Sequence, residues 1–370
     1  MIGIGQNKMK TDRIFLIYIF ILIIFGLIAL TSASTPVGYE KFGDAYYFIK
    51  KQIFRGLIPG LVLFFIVTKL DYLWFKKMSW IIYGFALFLL ALVFIPGVGF
   101  ELNGARSWIS LGIFNFQPAE FVKLALIIMT ANLLSDGRRD LTNWQTGLLP
   151  ILTILAPACL LVLLQPDIGT LSIIVVIIFT MLYLGKVPWK YLTVLGLFGI
   201  VGFIMMIWAA PYRLERFTTF LHPELDPQGV GYQINQSFLA IGSGGPWGLG
   251  LGHSRQKYQY LPEVTADSIF AVVAEEVGFL VSSLIVVLFL LIGWRGLKIA
   301  KNAPDNFGRL LAGGLTVWIV WQSFLNIGAI VGVLPLTGVP LPLVSHGGSA
   351  YIMSMVGVGI IINISRFSNN

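Results

Sequence analysis

The chain has 370 residues, of which 57 % are hydrophobic and only 11 % charged, with a net charge of +8. Soluble domains carry roughly 25 % charged residues, so one water-soluble core cannot hide this much apolar surface and the bilayer must serve as solvent. The single cysteine, Cys159, excludes an internal disulfide, and His222, His253 and His346 lack zinc-site spacing.

Taken in chain order, about ten apolar runs can span a bilayer, each span needing about 20 residues. Lys8, Lys10 and Arg13 precede the first run, 14–34. It is long for the apolar region of a cleaved signal and further spans follow directly, so it reads as an uncleaved helix. The remaining runs are 54–69, 79–96, 119–135, 147–164, 168–185, 190–209, 268–293, 308–333 and 347–365. The stretch 147–209 divides at Gln165-Pro166-Asp167 and at Gly185-Lys186, both turn-forming. The expected fold class is an all-α polytopic membrane protein of about ten transmembrane helices, forming one domain over 1–370.

An even number of spans puts both termini on one side. With the termini in the cytoplasm, the inner segments hold fifteen of the 25 basic residues but only five of the 17 acids, as the positive-inside rule requires. The excess positive charge is therefore a topology signal and not a nucleic-acid footprint. This orientation sends one long loop outward, about 211–266 between spans seven and eight, and two shorter ones before spans four and ten. The inner loops are short and basic, so chemistry is expected at the outer face.

The stretch LPEVTADSIFAVVAEEVGF, residues 261–279, places Glu263, Asp267, Glu275 and Glu276 at the entrance of the eighth span. A carboxylate near hydrocarbon is costly unless it is paired or protonated. Asp267 lies four residues before Ala271, Ala274 and Gly278, a small-residue stripe suited to close packing against a helix or a lipid. Thr265 or Asp267 can cap the helix. Capping does not account for Glu275 and Glu276, two turns deeper, and intramembrane acids are functional candidates. In QPAEFVKL, Glu120 and Lys123 share a helix face. They form either a structural ion pair or the wall of a groove for an anionic headgroup.

Arg106, Arg213, Arg216, Arg255 and Lys257 lie on outer segments, against the charge trend. Arginine grips phosphate through two parallel bonds and lysine acts as a point charge. These residues either pair with Glu215, Glu224, Asp226 and Glu263 or gather an anionic phosphate substrate beside a base. The run GSGGPWGLGLG lacks the GxxxxGK(S/T) pattern and follows no strand, so its glycines read as turns or close backbone approaches. SHGGSA, residues 345–350, reads as a small-residue helix start.

Together and in order, NGARSWISLG…QPAEFVKL, QPDIGT, YRLERFTTFLHPELDPQGVGYQINQSFLAIGSGG, GLGLGHSRQKYQYLPEVTADSIFAVVAEEVGF and PLPLVSHGGSA resemble the SEDS family (shape, elongation, division and sporulation). With the hydropathy pattern, the resemblance spans most of the chain. GLGLG followed by SRQKYQYLPE is more similar to the division-type, FtsW-like branch than to the elongation-type, RodA-like one. Two departures stand out: the family's Thr-Asp-Phe-Ile-Phe is here Thr265-Ala266-Asp267-Ser268-Ile269-Phe270, and His346 takes an aromatic position in SHGGSA.

The resemblance implies a membrane glycosyltransferase that polymerises lipid II into peptidoglycan, with its site facing out of the bacterial cytoplasmic membrane. Its implied partners are a class B penicillin-binding protein transpeptidase and other division proteins. Asp267 is then the expected general base, with Arg106, Arg213, Arg216 and Lys257 at the departing pyrophosphate. Glu120 and Lys123 are expected to line the groove, with Glu275 and Ser345 also contacting substrate. A divalent cation beside Asp267 is compatible with this chemistry, but no ligand cluster demands one. Two other readings stay open: a flippase of the same lipid precursor, which needs polar groups through the whole bilayer depth, and a non-catalytic scaffold of the division machinery.

Overall fold

The computed structural model describes residues 11–102, 105–110, 112, 115–137, 139–208 and 211–368, with the side chains of 102 and 211–213 outside the described set. Among these residues nine helices are long and apolar enough to cross a membrane. They are α1 (Arg13–Phe42), α2 (Tyr47–Lys69), α3 (Tyr72–Leu92), α4 (Pro118–Ser135), α5 (Trp144–Leu164), α7 (Trp189–Trp208), α10 (Ile269–Lys301), α11 (Asn306–Ile330) and α12 (Gly348–Phe367). The apolar α6 (Ile168–Leu184) has 17 residues, the lower limit for a span. Several starts are written into the sequence as acidic caps. Asp12, Asp167 and Asp305 accept from the backbone N–H of Phe15, Thr170 and Gly308 at 3.0, 2.9 and 2.8 Å.

Several helix boundaries differ from the hydropathy reading, among them the end of α10, at Lys301 and not 293. Helix α1 continues through Pro36 to Phe42, α2 begins at Tyr47, and α3 begins at Tyr72. Apolar runs stop at charged residues, but the backbone does not. Lys50, Lys51 and Arg55, like Lys76 and Lys77, are helical residues whose long stems let the charge leave the apolar layer. The all-α expectation also missed a small antiparallel sheet before α4: β1 (Gly99–Leu102), β2 (Ala105–Ser110) and β3 (Asn115–Phe116), in that order. Ser107 and Ile109 are buried at the two-residue period of a strand.

Burial sorts the helices into centre and rim. Of the most apolar stretch of α12, 89 % is buried, as is 78 % of those of α4 and α11, against 6 % for α7. The connection between α11 and α12 dips into this centre. A Cβ at Gly26, midway along α1, would lie 2.5 Å from the Leu343 carbonyl oxygen, so only glycine admits that segment there.

The long loop of 211–266 is largely folded back on the bundle. It contains α8 (Pro211–Leu221) and α9 (Val230–Gly244), and α9 packs along the first half of α10. Helix α10 is broken at Gly278, whose φ is +75°. The N–H groups of Phe279 and Leu280 would bond Glu275 and Glu276 in an unbroken helix. They bond the Gly245 and Pro246 carbonyls instead, while Leu249 and Gly250 donate to Glu275 and Glu276. The break thus leaves none of these four helix groups orphaned. The stripe Ala271, Ala274 and Gly278 is sealed here by protein: a Cβ on Gly244 would meet the Ala274 carbonyl at 2.2 Å. The expected path for a lipid between helices at this face is therefore closed.

Candidate active site

Asp267 sits in a turn at the head of α10, and every neighbouring peptide is tied down. Glu263 takes a φ of +50°, and its carbonyl accepts from Ala266 and Ser268 at 3.0 and 3.2 Å. Other segments then clamp four successive residues. The His346 N–H donates to the Thr265 carbonyl at 2.8 Å. The Ser345 hydroxyl donates to the Ala266 carbonyl at 2.5 Å, and Asn326 Nδ2 to the Asp267 carbonyl at 2.9 Å. Gln233 of α9 donates to the Ser268 hydroxyl at 2.9 Å. Each bond contributes roughly 1 kcal/mol net, but leaving one of these buried carbonyls bare costs about 1–3 kcal/mol. The turn is therefore held in one geometry by α9, α11 and the α11–α12 connection.

Of the side chain, one oxygen is left free. Asp267 is 9 % exposed and its buried Oδ1 has no hydrogen-bond partner. Ser268 occupies the N-cap position of α10 without a side-chain cap bond, so a capping role does not explain the acid. The residue opens onto a narrow cleft with Asn326, Ala329, Ile330, Leu336, Thr337, Gly338 and Val339. Burial, and then the nearby negative charge of Glu263, push its carboxyl up to about 6. An acid in that range is ionised near neutral pH yet basic enough to take a proton in a transition state.

The other expected site residues separate into groups. Glu120 and Lys123 do pair, at 2.8 Å, deep between α4 and α11, with 2 % or less of either side chain exposed. Lys123 also donates to Gln322 at 2.7 Å and lies 5.3 Å from the Trp318 ring centre. Ser345 is a clamp of the Asp267 turn, accepting from Leu341 N–H while it donates to Ala266. Glu275 organises backbone: it accepts from Ser254 Oγ and from the N–H groups of Arg255 and Gln256 at 2.5, 3.0 and 3.3 Å.

The described cations do not pair with Asp267. Lys257 is buried, and its ammonium spends its three donors on Glu276, Gly252 O and Ser32 Oγ at 2.7, 2.8 and 3.2 Å. Arg106 reaches the Ile95 and Gly99 carbonyls at 3.4 Å, tying the sheet to the end of α3. Arg216 is exposed on α8, and the side chain of Arg213 lies outside the described residues. Among the described residues no cation forms an ion pair with Asp267. The physical reason is that buried Lys123 and Lys257 each need a partner acid of their own in an apolar surround.

Sequence reasoning missed Gln52, Gln233 and Asn326. Their signal was chemical type: an amide in an otherwise apolar helix must find partners. Asn326 finds both the Asp267 and Val339 carbonyls, and Gln52 finds Ser345 O and Gly347 N. Among the described residues no group of three or more His, Cys, Asp or Glu side chains is arranged to hold a metal ion.

Comparison with known proteins matches residues 12–370 to the family model FTSW_RODA_SPOVE, described as "Cell cycle protein". Stage V sporulation protein E of Bacillus subtilis is 41 % identical, covering 98 % of this chain and 99 % of the relative. A probable peptidoglycan glycosyltransferase FtsW of Halothiobacillus neapolitanus is 38 % identical over 98 % of this chain and 88 % of its own length. Among solved structures, one described as "Structural coordination of polymerization and crosslinking by a peptidoglycan synthase complex" superposes with a TM-score of 0.79. It shares 31 % identity and covers 96 % of this chain and 98 % of that one. Thermus thermophilus rod shape determining protein RodA gives a TM-score of 0.71 at 28 % identity, covering 97 % of this chain and 98 % of its own. Matched over nearly its whole length, and folded as a multi-pass bundle like these proteins, the chain belongs to the FtsW/RodA/SpoVE family of cell cycle proteins.

Proposed function

We propose that this protein is a peptidoglycan glycosyltransferase that polymerises lipid II, with Asp267 as its general base. The observation that carries the reading is a buried carboxyl with an unpartnered oxygen, in a turn clamped from three sides. An acceptor sugar hydroxyl attacks the anomeric carbon of the polyprenyl-pyrophosphate-linked donor. The new glycosidic C–O bond forms as the bond to pyrophosphate breaks, the hydroxyl proton passes to Asp267, and the pyrophosphate leaves with the bonding pair. A stapled main chain with one free carboxylate oxygen suits this task, since a general base must be held within hydrogen-bond reach of its proton.

In this reading both termini are cytoplasmic and the Asp267 end of the bundle faces out of the bacterial cytoplasmic membrane, at the division septum. The relatives named FtsW support the polymerase activity, and the likeness to a chain of a peptidoglycan synthase complex supports a class B penicillin-binding protein as partner. Purified protein in nanodiscs supplied with lipid II tests the assignment. Asp267→Asn keeps the main-chain carbonyl that Asn326 holds but cannot take the proton. Its polymerisation rate is expected to fall on the order of 10²–10⁴-fold. A wild-type rate in the asparagine variant removes Asp267 from the chemistry, whereas a wild-type protein that forms no polymer leaves a transporter or a scaffold as the function.

A further inference from the structure

The reaction proposed for Asp267 needs positive charge at the departing pyrophosphate, and of the cations expected there Lys257 and Arg106 are engaged elsewhere. A different cluster stands at the same end of the bundle. Helix α2 opens with Tyr47-Phe48-Ile49-Lys50-Lys51-Gln52-Ile53-Phe54-Arg55. Tyr47, Lys50, Lys51, Phe54 and Arg55 line one open concavity of about 290 Å³. Lys50 is paired with Asp44 at 2.8 Å. Among the described residues neither Lys51 nor Arg55 has an ion-pair partner, although they stand four residues apart on one helix. Like charges at that spacing destabilise a helix. The backbone also widens here into a π turn, Ile53–Leu57, a rare geometry that is frequent at functional sites; a second one opens α5 at Trp144–Leu148.

Gln52, beside Lys51, joins this cluster to the clamp of Asp267. Its side chain donates to the Ser345 carbonyl at 3.4 Å and accepts from Gly347 N–H at 3.2 Å. The Phe48 ring lies edge-on to His346, with centroids 5.4 Å apart. Ser345 and His346 are the two residues that bond Ala266 and Thr265. The field of the pair reaches that far: burial, then Lys51 and Arg55, hold the His346 imidazole down to about 4. The cations are thus one hydrogen-bonded segment away from the turn that carries the base.

We propose that Lys51 and Arg55 form the seat for the phosphate groups of a lipid-linked pyrophosphate, holding the leaving group beside the Asp267 turn. The seat deepens the polymerase reading and rests on it. A guanidinium offers two parallel bonds to phosphate oxygens and an ammonium adds a point charge. Phe54 is 69 % exposed at the rim and offers an apolar surface where the lipid chain enters the bilayer. An anionic phospholipid headgroup presents similar phosphate chemistry, and the test separates the two sources.

The full chain in phosphatidylcholine nanodiscs is titrated with undecaprenyl pyrophosphate and, separately, with phosphatidylglycerol. Each lost cation is expected to weaken undecaprenyl pyrophosphate binding about tenfold. The Lys51→Ala/Arg55→Ala protein therefore loses on the order of a hundredfold. Lys51→Arg, which keeps the charge, retains binding, and its fold is checked by thermal melting beside the wild type. Asp267→Asn binds undecaprenyl pyrophosphate as the wild type does, which separates this seat from the base. Should Asp267→Asn polymerise normally while the double variant still loses the ligand, the base fails and the seat stands. Undecaprenyl pyrophosphate affinity that survives the double substitution overturns the seat. So does a loss confined to phosphatidylglycerol.

Discussion

Replacing Glu120 alone should cost more than replacing Glu120 and Lys123 together. The pair is 2.8 Å apart, with side chains 2 % and 0 % exposed, so neither charge has water to fall back on. Removing one partner of such a pair typically costs about 3–5 kcal/mol, because the other is left charged and buried. Two contacts soften the loss for Lys123: Gln322 at 2.7 Å and the Trp318 ring at 5.3 Å both remain. The native pair is itself incomplete, since Glu120 Oε2 has no partner.

These terms place Glu120→Ala near the lower figure, about 3 kcal/mol. The double change Glu120→Leu/Lys123→Met keeps volume and removes both desolvation penalties, so it should lie within about 1 kcal/mol of the wild type. SDS-driven unfolding in mixed micelles reads both free energies. A double variant as unstable as the single one refutes the reasoning. If the double variant is stable but no longer polymerises lipid II, the pair serves the substrate as well as the fold.

Asp267 gives a pH signature of the opposite sign to a salt-bridged acid. Its carboxyl is raised from 3.8 to about 6 by burial and Glu263, so the folded state favours the protonated form. The contribution to stability is fully present below pH 3.8 and is lost as pH rises towards 6, a change of roughly 3 kcal/mol. Asp267→Asn should therefore be the more stable protein at pH 7, with the gain fading below about pH 4. In the wild type, polymerisation should fall as pH drops through about 6, because the base becomes protonated. Asn326→Ala removes the donor to both the Asp267 and Val339 carbonyls. It should cost about 2–3 kcal/mol in unfolding and lower kcat more than KM, since it loosens the turn that holds the base.

The bundle was readable because hydrocarbon demands long apolar runs, and acids such as Asp12, Asp167 and Asp305 mark where helices begin. The ends were less readable. A hydropathy window stops at Lys50 and Lys51, whereas the helix runs through them, and that offset hid the basic concavity of α2. Asp267 stood out as an acid at a span entrance. Its surroundings did not: Asn326 is 59 residues away in sequence, and His346 and Ser345 are farther still. Nor does sequence say which acid a cation will choose. Lys257 lies ten residues before Asp267, yet folding takes it to Glu276 and Ser32.

The exchange of backbone partners at Gly278 has a mechanical consequence. The braces straddle that residue: Glu275 and Glu276 before it are tied to Leu249 and Gly250, and Phe279 and Leu280 after it to Gly245 and Pro246, like rungs shared between two ladders. Below the break, the helix is an ordinary membrane stalk. A force along the stalk is therefore divided at the joint between the leading turns and the 245–250 segment, which grips the helix on both sides of the break.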